Sequence, residues 1–328
     1  MGTVPTLDRR TIESAVTLTC RAPSLHNSQP WHWTADGDSV HLYCASDRLL
    51  PSTDAFGRQM IISCGAALDH LGIAFAAHGR HTTITRMPDG NRDHLARIDV
   101  GASEGQPSPE TIAMAAAIAD RRSDRLPLCP PSDPEALTKR LRDLVSPTGV
   151  RLELLGRNAH AELIHASSIT ASRRQRDSMY QDELYWWTGE SALPDGVPKQ
   201  ALVSPSEHER VAMGRRFPPG SPNSRRADVT DDRAAIVLLS TAADTRLEWL
   251  RCGEALSEVL LECTKSGLAT CALTHVTELP HSREMVGSVS SCGGVPQVLI
   301  RIGIAPDGPD DCQATPRRPL SEVLVTRT

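Results

Sequence analysis

The chain has 328 residues, of which 39% are hydrophobic, and a formal net charge of -5 at pH 7. This length allows one large or two medium domains, each with a core of its own. The slightly acidic balance excludes a broad basic field for nucleic acid or an anionic membrane. No apolar run approaches the ~20 residues of a membrane span, and no apolar leader follows Met1. We therefore expect a cytoplasmic protein that binds neither nucleic acid nor membrane.

The nine cysteines are scattered without a Cys-x-x-Cys pair. An odd count without an export signal favours reduced thiols over a disulfide framework. The twelve histidines form no His-Glu-x-x-His motif and no cluster with cysteine. The sequence therefore predicts no metal site.

The first predicted helix runs from Ile12 to Cys20 and leads into residues 21–33, RAPSLHNSQPWHW. The prolines in this segment favour extended or turn geometry, and Trp31 is expected to anchor the turn on the core. Such a turn can present backbone N–H groups and polar side chains toward one point, which suits a flat heteroaromatic ligand. The alternative is a polar helix-to-strand turn with a buried tryptophan.

Residues 64–79 recur as residues 252–267, with the shared pattern Cys-Gly-x-Ala-Leu and a closing glycine. Apolar residues at steps of three and four predict a buried helix face in each copy, ended by Gly79 and Gly267. Strand-like segments follow both copies, at 82–85 and 97–101 and again at 271–273 and 298–303. The sequence predicts an α+β protein with two related halves, although two alanine-rich helices can also resemble each other by chance.

A polar stretch around residues 105–109 marks the predicted boundary, which gives halves 1–108 and 109–328. The second half carries an insert at about 173–231, in which Tyr180, Trp186 and Phe217 stand among Ser, Pro, Gly and Arg residues. An irregular stretch of this length in a compact domain is usually a lid, a binding loop or a linker. The insert is therefore either a lid or an exposed loop with a small aromatic anchor.

Basic residues cluster at two points in the second half, in Arg-Arg-Ser-Asp-Arg at 121–125 and in Arg-Arg-Pro-Leu-Ser-Glu-Val at 317–323. Alternate residues of an extended segment project to one side, so Arg121 and Arg125 would flank Ser123. Two guanidinium groups beside a hydroxyl suit a phosphate dianion. A motif of this kind on its own is more often a solvated basic patch.

Together, the turn Ala-Pro-Ser-x-x-Asn-x-Gln-Pro-Trp and the two basic motifs resemble the FMN-dependent nitroreductase superfamily. In that family two subunits share each FMN: the turn contacts the isoalloxazine ring, and basic motifs hold the phosphate. A strand end near the flavin is matched loosely by residues 267–275. The residues that the resemblance assigns to the cofactor are Pro23, Ser24, His26, Asn27, Gln29, Arg121, Arg122, Ser123, Arg125, Leu273, Thr274, His275, Arg317 and Arg318.

The motifs are divided between the halves. The first half has the turn, but its counterpart of the phosphate motif is Arg9-Arg10-Thr11-Ile12-Glu13, in which Glu13 would repel a phosphate. The second half has the arginines without a second turn. The resemblance therefore implies a monomeric, intramolecular pseudo-dimer with one FMN and a lid-like insert, most similar to the mycobacterial Acg family.

Two functions follow from this resemblance, and a third reading is a scaffold without flavin. The first is an oxidoreductase in which NAD(P)H reduces FMN and FMN reduces a small aromatic nitro or quinone acceptor. The second is flavin storage with weak or no turnover, favoured by the insert and by His275, which stands where the family often has a small residue. A surface histidine after a strand is the alternative reading of His275.

Overall fold

The computed structural model describes residues 7–103, 105–188, 195–220, 224–306 and 314–327. Within these ranges the helices are α1 (Arg9–Thr19), α2 (Arg58–Ala77), α3 (Pro109–Asp120), α4 (Pro134–Val145), α5 (Arg157–Gln175), α6 (Ser178–Thr188), α7 (Pro205–Arg210), α8 (Arg246–Lys265), α9 (Pro280–Ser288) and α10 (Leu320–Val323). The strands are β1 (Trp31–Asp36), β2 (Ser39–Cys44), β3 (Arg80–Arg86), β4 (His94–Ser103), β5 (Arg151–Leu155), β6 (Ala235–Thr241), β7 (Ala269–Leu273), β8 (Val295–Gly303) and β9 (Leu324–Arg327).

The strands form two separate sheets, and the expected α+β class is confirmed. One sheet has the order β3-β4-β2-β1-β9 and the other the order β5-β6-β8-β7. Neighbouring strands are antiparallel except for β9, which runs parallel to β1 with Trp33 opposite Leu324. The last strand therefore completes a sheet whose other strands all lie before residue 104. The domain division at residue 108 stays a prediction.

The two repeated segments form the long helices α2 and α8, which have 20 residues each. Their predicted inner faces are buried, with Leu71 and Phe75 in one helix and Val259 in the other at 0% exposure. Gly79 and Gly267 follow the two helices with φ of +68° and +71°, the left-handed conformation that ends a helix at glycine. Both predicted helix ends are thus confirmed.

Helix α2 has the length and apolar composition of a membrane span, contrary to our reading of the sequence. Most of its apolar surface is covered by the rest of the protein, since Ile61, Leu68 and Leu71 belong to one hydrophobic cluster with α1 and the five-stranded sheet. Length and apolar composition alone do not distinguish a buried core helix such as α2 from a membrane helix.

The four-stranded sheet is covered on both faces. Val237 and Leu239 of β6 pack with α4 and α8, whereas Ile236 and Leu238 pack with α5 and α9. This alternation follows the two-residue repeat of a strand. The sheet therefore holds α8 on one side and α5 on the other.

The predicted insert at 173–231 is more regular than its composition suggested. It contains the end of α5, all of α6 and the short helix α7, which begins with a capping box between Ser204 and Glu207. Residues 189–194 and 221–223 of the insert lie outside the described ranges. Eight of the nine cysteines lie in the described part of the chain, and all eight are free thiols.

Candidate functional site

Two adjoining cavities open where the turn after α1 meets the end of β7. The apolar cavity, about 990 Å³ including its mouth, is lined by the turn, α2, β7 and residues of the 195–220 segment. The arginine cavity, about 1200 Å³ including its mouth, is lined by the turn, the segment after α3 and residues 314–317. Pro23, Ser24, Ser123 and Arg125 line both cavities, so the two lie side by side.

The turn at residues 23–29 is fixed by its own hydrogen bonds and by Trp31, which is fully buried in the core. The Gln29 amide donates to Ser24 Oγ at 3.0 Å, and the Leu25 amide donates to Ser63 Oγ of α2 at 3.3 Å. Pro23, shortly after the end of α1, keeps the chain from continuing as a helix. The predicted anchoring of this turn by Trp31 is confirmed.

Asn27 joins three segments at the edge of the arginine cavity. Its Nδ2 donates to the carbonyl of Gly196 at 3.0 Å and to the carbonyl of Pro316 at 3.1 Å. Asn27 and Ser123 both line this cavity. The turn and the arginine motif, which are almost a hundred residues apart in sequence, therefore meet at one place.

Gln29 and Arg318 are predicted site residues that line neither cavity. Gln29 is fully buried, its Nε2 donates to the Asn27 carbonyl at 3.3 Å, and its Oε1 accepts from the Arg318 amide at 2.9 Å. The Arg318 guanidinium turns toward Glu322, at 3.3 Å. The structure therefore does not support a contact between either side chain and a molecule in the cavities. Gln29 and Arg318 instead join the turn to residues 316–322.

Arg21, Arg121 and Arg317 form the wall of the arginine cavity, with Arg122 and Arg125 also lining it. The Arg317 guanidinium donates to the carbonyls of Cys20 at 2.7 Å and Arg21 at 3.1 Å. These carbonyls lie at the C-terminal end of α1, where the helix dipole favours a cation. The predicted segment 121–125 lies beside β7, where the Asp124 amide donates to the Thr270 carbonyl at 2.8 Å.

The arginine cavity has an excess of positive charge. Among the described residues, no carboxylate forms an ion pair with Arg21, Arg121 or Arg317, although Asp120 also lines the cavity. Burial and then the charge of Arg21 lower the pKa of Arg121 to about 10. Burial, followed by the charges of Arg121 and Arg21, lowers the pKa of Arg317 to about 9.

Both shifts mean that the charged forms of these guanidiniums are destabilised where they stand. The Nε of Arg121 is in addition buried without a partner in the described part of the chain. A bound dianion would supply the missing acceptor and the opposite charge at once. The cavity is therefore suited to a phosphate-sized anion.

Leu273, Thr274 and His275 line the apolar cavity at the end of β7. His275 is buried rather than on the surface, so the alternative reading of this residue is wrong. Its Nε2 shares a hydrogen bond of 2.9 Å with Ser167 Oγ of α5. Burial, then the charges of Arg215 and His208, lowers the pKa of His275 to about 3, so the ring is neutral at physiological pH.

The 195–220 segment supplies the remaining wall of the apolar cavity through Val203, His208, Val211, Gly214, Arg215 and Phe217. Arg215 fastens this segment, because its guanidinium donates to Tyr180 Oη at 2.6 Å and forms an ion pair with buried Glu278. Glu278 also pairs with Arg174, at 3.3 Å. The part of the insert that follows residue 195 therefore lies against the cavity.

Arg9 to Glu13, which the sequence suggested as a degenerate phosphate motif, are helical. They form the first turns of α1, where Asp8 caps the Thr11 amide and Arg9 pairs with Glu13 at 2.7 Å. An extended row of side chains, such as residues 121–125 provide, is absent there. The exposed Arg9 is already neutralised by a carboxylate four residues away.

Several cavity residues were not anticipated from the sequence. Arg21 directly precedes the recognised turn, and its charge only becomes significant because the chain reversal places it beside Arg121 and Arg317. Gln59 and Ser63 also line the apolar cavity. They belong to α2, whose sequence indicates only a helix packed in the core. No group of three or more potential metal ligands occurs among the residues described.

No protein-family model matches the chain. A Mycobacterium tuberculosis protein named "Putative NAD(P)H nitroreductase acg" is 44% identical over 317 residues, which is 96% of this chain and 96% of that protein. A second protein of that species with the same kind of name is 38% identical over 321 residues, 97% of this chain and 92% of the relative. An FMN-dependent nitroreductase from Mycobacterium smegmatis, solved in complex with NADPH, is 17% identical with a TM-score of 0.38, over 65% of this chain and 97% of the other.

Identity at this level over nearly the full length of both proteins identifies the relationship. The chain belongs to the Acg-type family of the nitroreductase superfamily.

Proposed function

We propose that the two cavities hold one FMN, with its phosphate in the arginine cavity and its isoalloxazine ring in the apolar cavity. The observation that supports this most directly is a cluster of arginines beside a mainly apolar space. Arg121 is buried, Arg21 and Arg317 are half-buried, and none of the three has a carboxylate partner in the described residues. Ser123 and Arg122 would add donors to the phosphate, and Pro23, Ser24 and Leu273 would contact the ring.

The proposal includes an intramolecular pseudo-dimer, in which residues 1–108 and 109–328 take the places of two subunits. One support is the close crossing of α2 and α8, the two helices formed by the repeated segments, where a Cβ on Gly65 would lie 2.9 Å from the Gly253 Cα. The other is that each part supplies one wall of the cavities. The turn comes from the first part, whereas the arginine motif and the end of β7 come from the second. A monomer with a single flavin is the expected assembly.

FMN, when bound, supplies electron transfer between NAD(P)H and a small nitro or quinone acceptor. The protein's contribution would be to bind and orient, since no side chain that lines the apolar cavity needs to act as a nucleophile. The guanidiniums of Arg21, Arg121 and Arg317, which line the arginine cavity and not the apolar one, would hold the phosphate and so fix the direction in which the cofactor lies. The neutral state of His275 keeps a further positive charge away from the ring.

We further propose that turnover is weak or absent and that the protein stores or withholds FMN, with the 195–220 segment as a lid. This rests on contacts that fasten the segment at both ends. Near its start, the Gly196 carbonyl accepts a hydrogen bond from Asn27, and Asp195 forms an ion pair with Arg48 at 2.5 Å. Near its end, Arg215 forms an ion pair with Glu278 and a hydrogen bond with Tyr180. A nicotinamide and an acceptor must each reach the ring in turn, and a fastened segment restricts both.

The first experiment is an equilibrium titration with FMN, followed by flavin fluorescence. Replacement of Arg121 and Arg317 together with Ala should weaken binding at least tenfold, because each removes a charged hydrogen bond worth about 1.5–3 kcal/mol. Arg9→Ala is the matched control, since Arg9 is exposed and paired with Glu13. Equal affinity of the double variant and the control would count against the site.

The second experiment separates storage from the alternative, an active NAD(P)H:nitro or quinone oxidoreductase. Anaerobic stopped-flow mixing of the FMN complex with NADPH should leave the flavin absorbance unchanged for a storage protein. Rapid bleaching, followed by reoxidation with a quinone, would establish the oxidoreductase instead.

A further inference from the structure

We propose that His26 is the residue that recognises the polar edge of the ring in the apolar cavity, an inference that rests on the FMN site proposed above. It would select planar heterocycles whose edge carries a hydrogen-bond acceptor beside a donor. His26 would thereby position the ring, while the arginine cavity selects the phosphate.

The main observation is that the His26 imidazole has no hydrogen-bond partner in the described residues. Both ring nitrogens are buried and unpartnered, and the residue is 5% exposed. A neutral imidazole has one donor and one acceptor, and buried polar groups in proteins are nearly always paired. Since His26 lines the apolar cavity, a molecule in that cavity is the available source of both partners.

The backbone at His26 is held in an unfavourable conformation. His26, Asn27 and Gln29 have φ of 50°, 59° and 48°, the left-handed region that residues other than glycine seldom occupy. Strain of this kind persists where surrounding contacts impose it, and it is frequent at binding sites. This backbone conformation places the His26 imidazole in the wall of the apolar cavity. An aliphatic side chain at the same position would leave no nitrogen without a hydrogen-bond partner.

Aromatic contacts fix the orientation of the imidazole. The ring of Phe217 meets it edge to face, with centroids 5.7 Å apart and planes at 62°. The guanidinium carbon of Arg125 lies 5.2 Å from the Phe217 centroid. His26 is thus placed between the turn and the 195–220 segment, with its ring direction set before any ligand arrives.

The charge state of His26 suits an uncharged ring edge. Burial, then the positive charges of Arg215 and Arg125, lowers its pKa well below the usual 6.5. The ring consequently remains neutral and keeps one acceptor nitrogen as well as one donor. His275, the other buried histidine of this cavity, differs because its Nε2 already has Ser167 as a partner.

The test measures the binding of FMN and of riboflavin, which lacks the phosphate, to wild-type protein and to His26→Phe. We expect His26→Phe to weaken both ligands by the same factor, about three- to tenfold for one or two neutral hydrogen bonds. Arg121→Ala should weaken FMN far more than riboflavin. His32→Phe, on the neighbouring strand and outside both cavities, is the matched control and should change neither.

A second measurement distinguishes ligand recognition from a structural role. Removal of two unpartnered nitrogens should raise the melting temperature of ligand-free His26→Phe, although its flavin affinity falls. His26→Gln, which retains a donor and an acceptor, should recover part of the affinity. A lower melting temperature with unchanged flavin affinity would overturn the proposal.

The possible failures are distinguishable. If wild-type protein binds neither flavin, the FMN site itself is wrong, and the role of His26 falls with it. If wild-type protein binds FMN and His26→Phe binds both flavins equally well, the FMN site stands and the proposed role of His26 is wrong.

Discussion

Gly65 of α2 and Gly253 of α8 face each other where the two long helices cross. A Cβ built on Gly65 would lie 2.9 Å from the Gly253 Cα and 2.0 Å from the carbonyl oxygen of Leu250. A Cβ on Gly253 would lie 2.0 Å from the carbonyl oxygen of Ile62. The obstacles are backbone atoms, so the helices can only pack this closely with glycine at both positions.

Alanine at Gly65 or at Gly253 should therefore force the helices apart. We expect each substitution to lower the free energy of unfolding by about 3 kcal/mol or more, which is the upper range for overpacking, as measured by urea denaturation. Gly72→Ala is the control, because its Cβ would meet only Thr82 Oγ1, at 4.0 Å, and alanine is favoured over glycine within a helix. Destabilisation of the same size at Gly72 would contradict the crossing.

The ion pairs of Glu278 should determine how fast a flavin leaves. Its side chain is fully buried between Arg174 and Arg215, and breaking a buried pair leaves an uncompensated charge worth about 3–5 kcal/mol. Glu278→Gln should lower stability by about 3 kcal/mol and accelerate FMN release, measured by dilution and fluorescence. Glu110→Gln, at the exposed pair with Lys265, should do neither. An unchanged release rate in Glu278→Gln would argue against the 195–220 segment as a lid.

His275 should limit access of NADPH to the bound flavin. Its neutral ring fills the wall beside Leu273 and Thr274, so His275→Ala enlarges the apolar cavity. Bleaching by NADPH, which is slow or absent in the wild-type protein, should become at least tenfold faster in His275→Ala, which corresponds to ~1.4 kcal/mol of barrier. His281→Ala, at an exposed position of α9, serves as the control. Equal rates for both variants and wild type would exclude an obstructing role of His275.

Asp69 and Glu258 should make stability fall as the pH rises. Burial, with the charge of Glu254 adding to it, raises the pKa of Asp69 to about 7. Burial, then the charges of Asp69 and Glu254, raises the pKa of Glu258 to about 8. Because the folded state holds protons that the unfolded state loses near pH 4, the stabilisation is complete in acid and is lost between pH 4 and about pH 8.

Asp69→Asn combined with Glu258→Gln should flatten this dependence, as measured by urea midpoints at pH 5.5 and pH 8.5. The variant should be the more stable protein at pH 8.5. Asp99→Asn is the control: hydrogen bonds from Ser39 and Arg97 lower the pKa of Asp99, so its contribution changes only in stronger acid. A double variant with the same pH slope as wild type would contradict the prediction.

The sequence predicted the parts of the site that depend on short motifs. The Pro-Ser turn, Arg121 to Arg125 and Arg317 were singled out because their short motifs resemble those of a known family, and the structure brings them to the walls of two adjoining cavities. The repeat predicted α2 and α8 with their ends, since helix periodicity and a closing glycine are local signals.

What could not be predicted depends on contacts between distant segments. Arg21 becomes part of the arginine cavity only through its approach to Arg317, almost three hundred residues later, and Gln29 is withdrawn from the cavity by its hydrogen bond with Arg318. The helical state of Arg9 to Glu13 follows from the cap by Asp8, which the motif comparison overlooked. The insert contains α6 and α7, which were not predicted because their polar composition is also typical of a loop.

The parallel pairing of Trp33 in β1 with Leu324 in β9 bears on how the protein is made. During synthesis, β1 leaves the ribosome with one edge open, and it keeps that edge until almost three hundred further residues have been added. Open strand edges recruit other chains, and long-range pairing of this kind is slow to form. Fragments that end before residue 324 should consequently aggregate during expression, whereas the longer chain protects the same edge.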